Sequence, residues 1–468
     1  MHATPDAAAT SEPSRPHETL RLHEAVAIIV GIVIGAGIFK APSLVASFAG
    51  SEVWMFGAWI VGGLISLLGA LCYAELATAY PHAGGDYHFL HRAYGRSVSF
   101  LFAWARFSVI TTGSIALLGF VFGDYISQVL PLGTGFDAAL YAVVAIGALT
   151  WVNVRGMRTG AATQTWLTAL EVSGLGLIIF AGLFLASSGV QPGAAAASAP
   201  VAAPAGIPPM IGLAMVFVLL AFGGWNEAAY ISAEIRDEKR NMVRALIWSI
   251  VLITVLYVLV VWAYWHGLGL QGMAKSKAVA ADLLEVAFGP VGEKLMSVMV
   301  AVAALTSINA TMIVGARTNY ALGRDWPIFG RLGEWDARRD APIVALHVQS
   351  AAALVLVVIG ATATLGGGFK AMVEFTAPVF WTFFLLSGLS IFVLRHREPD
   401  TPRPFKVPLY PVTPLVFCSV CAYMLWSSLT YVHSKELGGL NAAWIGVLVL
   451  ASGALLLVLL RRRETVSP

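Results

Sequence analysis

Two short glycine clusters hold the residues best placed to do chemistry. Gly31-Ile32-Val33-Ile34-Gly35-Ala36-Gly37-Ile38-Phe39-Lys40-Ala41-Pro42 and Leu220-Ala221-Phe222-Gly223-Gly224-Trp225-Asn226-Glu227 each interrupt an apolar stretch long enough to cross a bilayer. Glycine has no Cβ and supports non-helical backbone, so breaks at Gly35-Ala36-Gly37 and Phe222-Gly223-Gly224 leave amides and carbonyls unpaired at membrane depth. The half-helix beginning after Gly37 offers free N–H groups and a positive dipole end to a carboxylate. The carbonyl end of the other broken helix suits an ammonium, and an α-amino acid carries both groups. Ile34, Ile38, Leu220 and Phe222 flank the breaks and favour a neutral or hydrophobic side chain. The expected substrate-binding set is therefore Ile34, Gly35, Ala36, Gly37, Ile38, Leu220, Ala221, Phe222, Gly223, Gly224 and Trp225. A packing reading stands beside it: Gly31 and Gly35 form a GxxxG, which lets two membrane helices approach closely, and Trp225 is either a gate or a packing aromatic. The second break, in a corresponding span, weighs toward a site.

The elements that must hold these breaks are membrane helices. Hydrophobic residues make up 58% of the 468-residue chain and charged residues only 12%, with a mean hydropathy of +0.78, far from a soluble domain's balance. Apolar runs of bilayer length begin near Leu22, Val53, Val98, Ala138, Thr163, Met210, Ile247, Leu295, Ile343, Val373, Leu415 and Ala443, giving an all-α polytopic membrane protein with twelve transmembrane helices. Basic residues alternate accordingly. One set of loops carries Arg92 and Arg96, Arg155 and Arg158, Arg236 to Arg244, Arg317 to Arg339, Arg395 to Lys406 and Arg461 to Arg463; the other holds chiefly Lys275, Lys277, Lys294, Lys370 and Lys435. The positive-inside bias then puts both termini in the cytoplasm of a multi-pass cell-membrane protein. The net charge of +3 reflects that asymmetry and calls for no nucleic-acid partner.

Residues 1–20 read as a disordered polar tail without a signal peptide's basic start and short apolar core. Residues 188–208, rich in Ala and Pro and uncharged, read as an extracellular linker between two halves, 21–187 and 209–396, with the last two spans and a cytoplasmic end in 397–468. Cys72, Cys418 and Cys421 all fall in apolar spans. The CxxC of Cys418 and Cys421, with no second pair or neighbouring His, reads as packing, so neither a metal site nor a cofactor is expected. Thr306, Ser307 and Asn309 on the eighth span either reach the site or bind neighbouring helices together. Asn309-Ala310-Thr311 is a formal glycosylation sequon, but bilayer depth makes it inaccessible. Arg106, inside the third span, suits a salt bridge or snorkelling better than substrate contact. Glu75, Glu227 and Glu234 suit anchors at helix ends, and the basic run from Arg236 to Arg244 could grip anionic lipid heads.

Four segments extend this reading. Gly35-Ala36-Gly37-Ile38-Phe39 with Pro42, Tyr73-Ala74-Glu75-Leu76 followed by Tyr80-Pro81 and Gly84-Gly85-Asp86-Tyr87, Gly223-Gly224-Trp225-Asn226 followed by Glu234-Ile235, and Arg403-Pro404-Phe405-Lys406-Val407-Pro408-Leu409-Tyr410-Pro411 occur in this order. Together they resemble the amino acid–polyamine–organocation (APC) family over nearly the whole chain. The Gly-Gly-Trp-Asn segment is most similar to the L-type neutral amino acid transporters and their bacterial relatives. The resemblance implies a five-plus-five inverted repeat of the leucine-transporter type, with helices 1 and 6 broken at the midplane and substrate held between spans one, three, six, eight and ten. It also brings one departure. Many such relatives carry a Lys on the fifth span that takes the place of a sodium ion, and aligning Gln164 to Leu175 puts Glu171 there. A carboxylate cannot imitate sodium but can carry a proton or hold a cation, so Glu171, with Thr306, Ser307 and Asn309, forms the expected coupling or gating set.

These features imply a secondary active transporter of α-amino acids, neutral in the first instance, working by alternating access as an exchanger or proton-linked symporter. A polyamine or cationic amino acid antiporter of the same family is the alternative, since Glu171 and Glu227 add negative charge. A channel or membrane enzyme fits less well: the chain has no HExxH, P-loop or filter repeat, and no GxSxG with a plausible triad. The partners implied are an amino acid, a proton as coupling ion and membrane lipids. Nothing in the sequence specifies a partner subunit.

Overall fold

A computed structural model describes residues 21–35, 37–82, 85–155, 170–185, 210–234, 237–336, 338–339, 341–361, 367–430, 436–437 and 440–466. In chain order the helices are α1 (Leu22–Val33), α2 (Gly37–Ala49), α3 (Glu52–Ala79), α4 (Asp86–Tyr94), α5 (Arg96–Ala105), α6 (Thr111–Val129), α7 (Asp137–Val154) and α8 (Leu170–Leu185). Then come α9 (Ile211–Ala221), α10 (Glu238–Lys275), α11 (Val279–Phe288), α12 (Pro290–Asp325), α13 (Ile343–Ala361), α14 (Gly367–Arg397), α15 (Val412–Thr430) and α16 (Ala442–Val466). A π turn at Arg106–Ile110 joins α5 to α6, and a 3₁₀ segment at Trp225–Glu234 continues α9 beyond its break. The sole strand pairing among the described residues is a two-residue antiparallel contact of Glu436–Leu437 with Leu440–Asn441.

Ten helices among the described residues are long and apolar enough to cross a membrane. The first and fifth expected spans are not among them. The first is divided at Ile34 and Gly35, so neither α1 nor α2 reaches span length, and the described part of the fifth begins only at Leu170. The protein is nonetheless plainly an all-α polytopic membrane protein, because its described segments of bilayer length are all helices, which satisfy their own backbone in lipid. The tail 1–20 and the whole of the 188–208 linker lie outside the described residues.

Packing divides the helices into two groups. The broken elements keep together: α2 packs on α9, α1 on α10, and α3 on both α9 and α10. A second group forms around α6, which packs on α7 and α12, with α13 against α7. Hydrogen bonds bind this second group internally: Asn153 donates to Asn309 at 2.8 Å, Thr150 to Ser350 at 2.7 Å and Asn319 to Gln349 at 3.1 Å. α14 touches α6 and α3 and carries α15 and α16 on its outer side.

The end of the bundle bearing the arginines is clamped by Glu75. Its carboxylate, only 3% exposed, accepts from Arg395 Nε and Nη2 at 2.7 and 2.6 Å and from the Val407 amide at 2.6 Å, with Arg403 Nε at 3.7 Å. The Tyr73-Ala74-Glu75-Leu76 and Arg403-to-Pro411 segments are thus two sides of one buried ion cluster, as an anchoring Glu75 requires. Removing one partner of such a cluster strands the others, so Glu75→Ala is expected to cost about 3 kcal/mol. Arg92→Ala, which breaks the exposed pair with Glu398 at 2.9 Å, should cost at most about 1 kcal/mol. Melting both variants in detergent checks the contrast; equal shifts would contradict it.

Candidate substrate-binding site

At the first break the helical ladder runs out after Ile34, whose amide still reaches Val30 at 2.8 Å, while Gly35 turns its amide onto Val33 at 2.8 Å. At the second, Phe222 bonds Val218 at 3.0 Å and Gly223 bonds Leu220 at 3.0 Å. Gly224 then takes φ +106°, a left-handed conformation that a side chain rarely adopts. The two breaks touch. A Cβ added at Gly37 would lie 3.3 Å from Ala221 Cα, and one at Gly35 would lie 3.0 Å from Ser307 Oγ on α12.

One residue with no distinguishing sequence signal joins them. The hydroxyl of Tyr257, on α10, lies 3.0 Å from the Val33 carbonyl and 3.0 Å from the Ala221 carbonyl, the last of α1 and of α9. With one proton it donates to one carbonyl at a time, and each carbonyl keeps a lone pair for an ammonium. The Tyr257 ring is fully buried against Trp59 and Phe222. Tyr257→Phe, which removes only the hydroxyl, should weaken substrate binding roughly tenfold in an equilibrium binding assay, the effect of one lost hydrogen bond in a dry site. Unchanged affinity would take Tyr257 out of the site.

Around the breaks lies a cavity of about 1070 Å³. The helix breaks supply Gly35, Gly37, Leu220, Ala221, Gly223 and Gly224; α12 supplies Thr306 and Ser307; the third span supplies Arg106, Thr111 and Ser114; α14 supplies Phe369, Phe380, Trp381 and Phe384. At the arginine-rich end the lining includes Asp86, Glu227 and the exposed Arg317. Arg106 sits on the π turn, a device frequent at functional positions, and its Nη2 donates to both Glu227 oxygens at 3.0 and 3.1 Å. The salt bridge expected of Arg106 is therefore present, and Glu227 is its partner. Asp86 accepts from Tyr73 and, at 2.8 Å, from Ser387; burial pushes its carboxyl up, against the pull of those two hydrogen bonds.

The expected site residues separate into three groups. Gly35, Gly37, Leu220, Ala221, Gly223, Gly224, Thr306 and Ser307 line the cavity. Ile34, Ile38, Phe222 and Trp225 are buried outside its lining. Trp225 packs edge-on against Tyr73, Phe384 and Phe417 at 5.2, 5.6 and 6.3 Å, so the apolar wall comes from Leu220 with Val216, Ile110, Val373 and the α14 aromatics. Ala36 lies outside the described residues. Asn309 faces α7, where it receives the Asn153 amide. Glu171, on α8, is 1% exposed, and neither carboxylate oxygen has a hydrogen-bond partner among the described residues. The three cysteines are free and buried, and no His, Cys, Asp and Glu cluster suited to a metal occurs among the described residues.

A polytopic helical bundle with two interrupted helices meeting across one cavity is the build of a transporter. The chain matches the amino acid permease family model over residues 20–450, and it belongs to that family, within the amino acid–polyamine–organocation group. It is 31% identical over 439 residues to the human large neutral amino acids transporter small subunit 2, covering 91% of this chain and 79% of that protein. It is 29% identical to the mouse Asc-type amino acid transporter 1, covering 92% and 79%, and 30% identical to the mouse b(0,+)-type amino acid transporter 1, covering 86% and 80%.

Proposed function

We propose that this amino acid transporter moves neutral α-amino acids across the cytoplasmic membrane by alternating access, as an exchanger or a proton-linked symporter. The observation that carries the reading is the meeting of the two breaks: the carbonyl ends of α1 and α9 converge on Tyr257 where an ammonium would sit, and the N-terminal end of α2 beside them would receive a carboxylate. The printed name of the human relative, which specifies large neutral amino acids, supports the substrate class. The site lies between two five-span inverted repeats within twelve spans, with both termini and the arginine-rich loops in the cytoplasm.

Charge in the cavity bears on the polyamine and cationic alternative. Its ionisable lining residues are Asp86, whose carboxyl burial pushes up, and Glu227 against Arg106 and Arg317, at most two negative charges to two positive. A balanced wall gives a cationic side chain no net attraction and leaves a zwitterion with a neutral side chain the better fit. Blocking either the α-amino or the α-carboxyl group of a good substrate is therefore expected to cost about 1 to 3 kcal/mol, against about 0.8 for trimming a methylene from its side chain. Competition against a radiolabelled neutral amino acid measures both. A decarboxylated amine that competes as well as its parent would favour the polyamine reading.

A further inference from the structure

Lys40 lies in the first turn of α2, on the half-helix that follows the first break. Its ammonium donates to Asp124 Oδ2 of α6 at 2.8 Å and to the Lys277 carbonyl, between α10 and α11, at 2.6 Å. Asp282, in the first turn of α11, is within electrostatic reach of the same ammonium and accepts from Ser276. The adjoining residues repeat the link, since the Tyr125 hydroxyl donates to the Phe39 carbonyl. Two consecutive residues of α2 are thereby tied to two consecutive residues of α6. None of these four lines the cavity. Phe48 of α2, Phe217 of α9 and Phe369 of α14 stack in a row at 5.9 and 6.4 Å, with Phe369 forming cavity wall. The cavity lining thus stops short of Lys40, while it includes exposed Arg317 at the arginine-rich end.

We propose that Lys40 is the latch of this end of the cavity: it fastens the second half of the first span to α6, and its release from Asp124 is a step in opening the cavity to that side. The inference deepens the alternating-access reading and rests on it. α2 is well suited to such a device. It is a 13-residue helix joined to α1 only through the interrupted segment, so it can tilt without α1 following. The Lys40 side chain is 13% exposed and that of Asp124 34%, so the pair is screened by water in part and lies between a buried ion pair and a surface one in strength. A charge-assisted contact of this kind biases a two-state equilibrium by roughly tenfold, enough to favour one state and weak enough to break during a transport cycle.

Ser114, a cavity-lining residue of α6, replaced by cysteine gives a reporter for a membrane-impermeant thiol reagent; the native cysteines are buried. The reagent is applied to vesicles of either orientation. The S114C parent should react from the arginine-rich side. Lys40→Met, and the isosteric Asp124→Asn, should each raise labelling from the opposite side roughly tenfold. The swap Lys40→Asp with Asp124→Lys should return the parent pattern. Unchanged opposite-side labelling in both single variants would overturn the proposal. So would a rise that the swap leaves in place, because that would locate the effect in the packing of Lys40 and not in its charge. Labelling requires no substrate, so this outcome is read independently of whether an α-amino acid binds.

Discussion

Gly35→Val and Gly223→Val are each expected to abolish detectable substrate binding while leaving the protein monodisperse. At Gly35 the new Cβ would sit 3.0 Å from Ser307 Oγ, and the γ-methyls of valine would extend into the space a ligand must enter. At Gly223 the Cβ would meet the Leu220 carbonyl at 2.9 Å, a backbone atom that can move only by reshaping the break. Both changes separate a substrate's charged groups from backbone they must approach closely. Losing two charge-assisted contacts corresponds to an affinity loss on the order of 100-fold or more, whereas local overpacking costs the fold about 1 to 3 kcal/mol. Scintillation proximity binding beside size-exclusion chromatography separates the two effects. Wild-type affinity in both variants would mean that the ligand does not sit at the breaks.

The second large effect is expected at Glu171. Glutamine imitates its protonated form at every pH. If the carboxylate carries the coupling proton, Glu171→Gln should still bind and exchange substrate while losing acceleration by an inward proton gradient, with a flattened pH profile. A carboxylate that instead holds a cation would lose dependence on that cation and keep its proton response. A purely structural hydrogen-bonding role has little support, because both oxygens are buried without a partner among the described residues; on that geometry glutamine should not lower thermal stability. Glu171→Lys installs the residue that the family resemblance implies for this position and should alter transport rate more than equilibrium affinity, since a cation there would favour one contact state of the neighbouring helices. Unchanged transport, pH response and cation response in both variants would remove Glu171 from the mechanism.

The interrupted helices were legible because the two glycine clusters fall in corresponding spans; a glycine pair alone does not break a helix, since Gly62 and Gly63 lie inside unbroken α3 and pack closely on Val218 and Thr254. The uniformity of the apolar runs hid what surrounds the breaks. Tyr257 sits among valines and leucines, and only the packing of α10 on α1 shows that its hydroxyl meets both carbonyls. Asn309 announced its polarity but not its direction, which depends on how α12 rotates against α7. Ile34, Ile38 and Phe222 adjoin the glycines in sequence, yet a helix end turns adjacent side chains in different directions, and these three are buried outside the cavity lining. Glu75 was recognisable as an anchor, although its partner Arg395 lies 320 residues away and could not be paired with it by local pattern. The π turn that carries Arg106 leaves no compositional mark.

The central claim is that a neutral α-amino acid is carried between the two breaks, and reconstitution tests it most directly. Proteoliposomes holding the purified chain are offered a panel of radiolabelled amino acids and putrescine, with and without internal substrate and a pH gradient. Saturable uptake of neutral α-amino acids, stimulated by internal substrate or by an inward proton gradient and absent from Gly35→Val and Gly223→Val, is the expected result. Uptake of putrescine or of cationic amino acids in preference to neutral ones, or neutral uptake that survives both glycine variants, would contradict it.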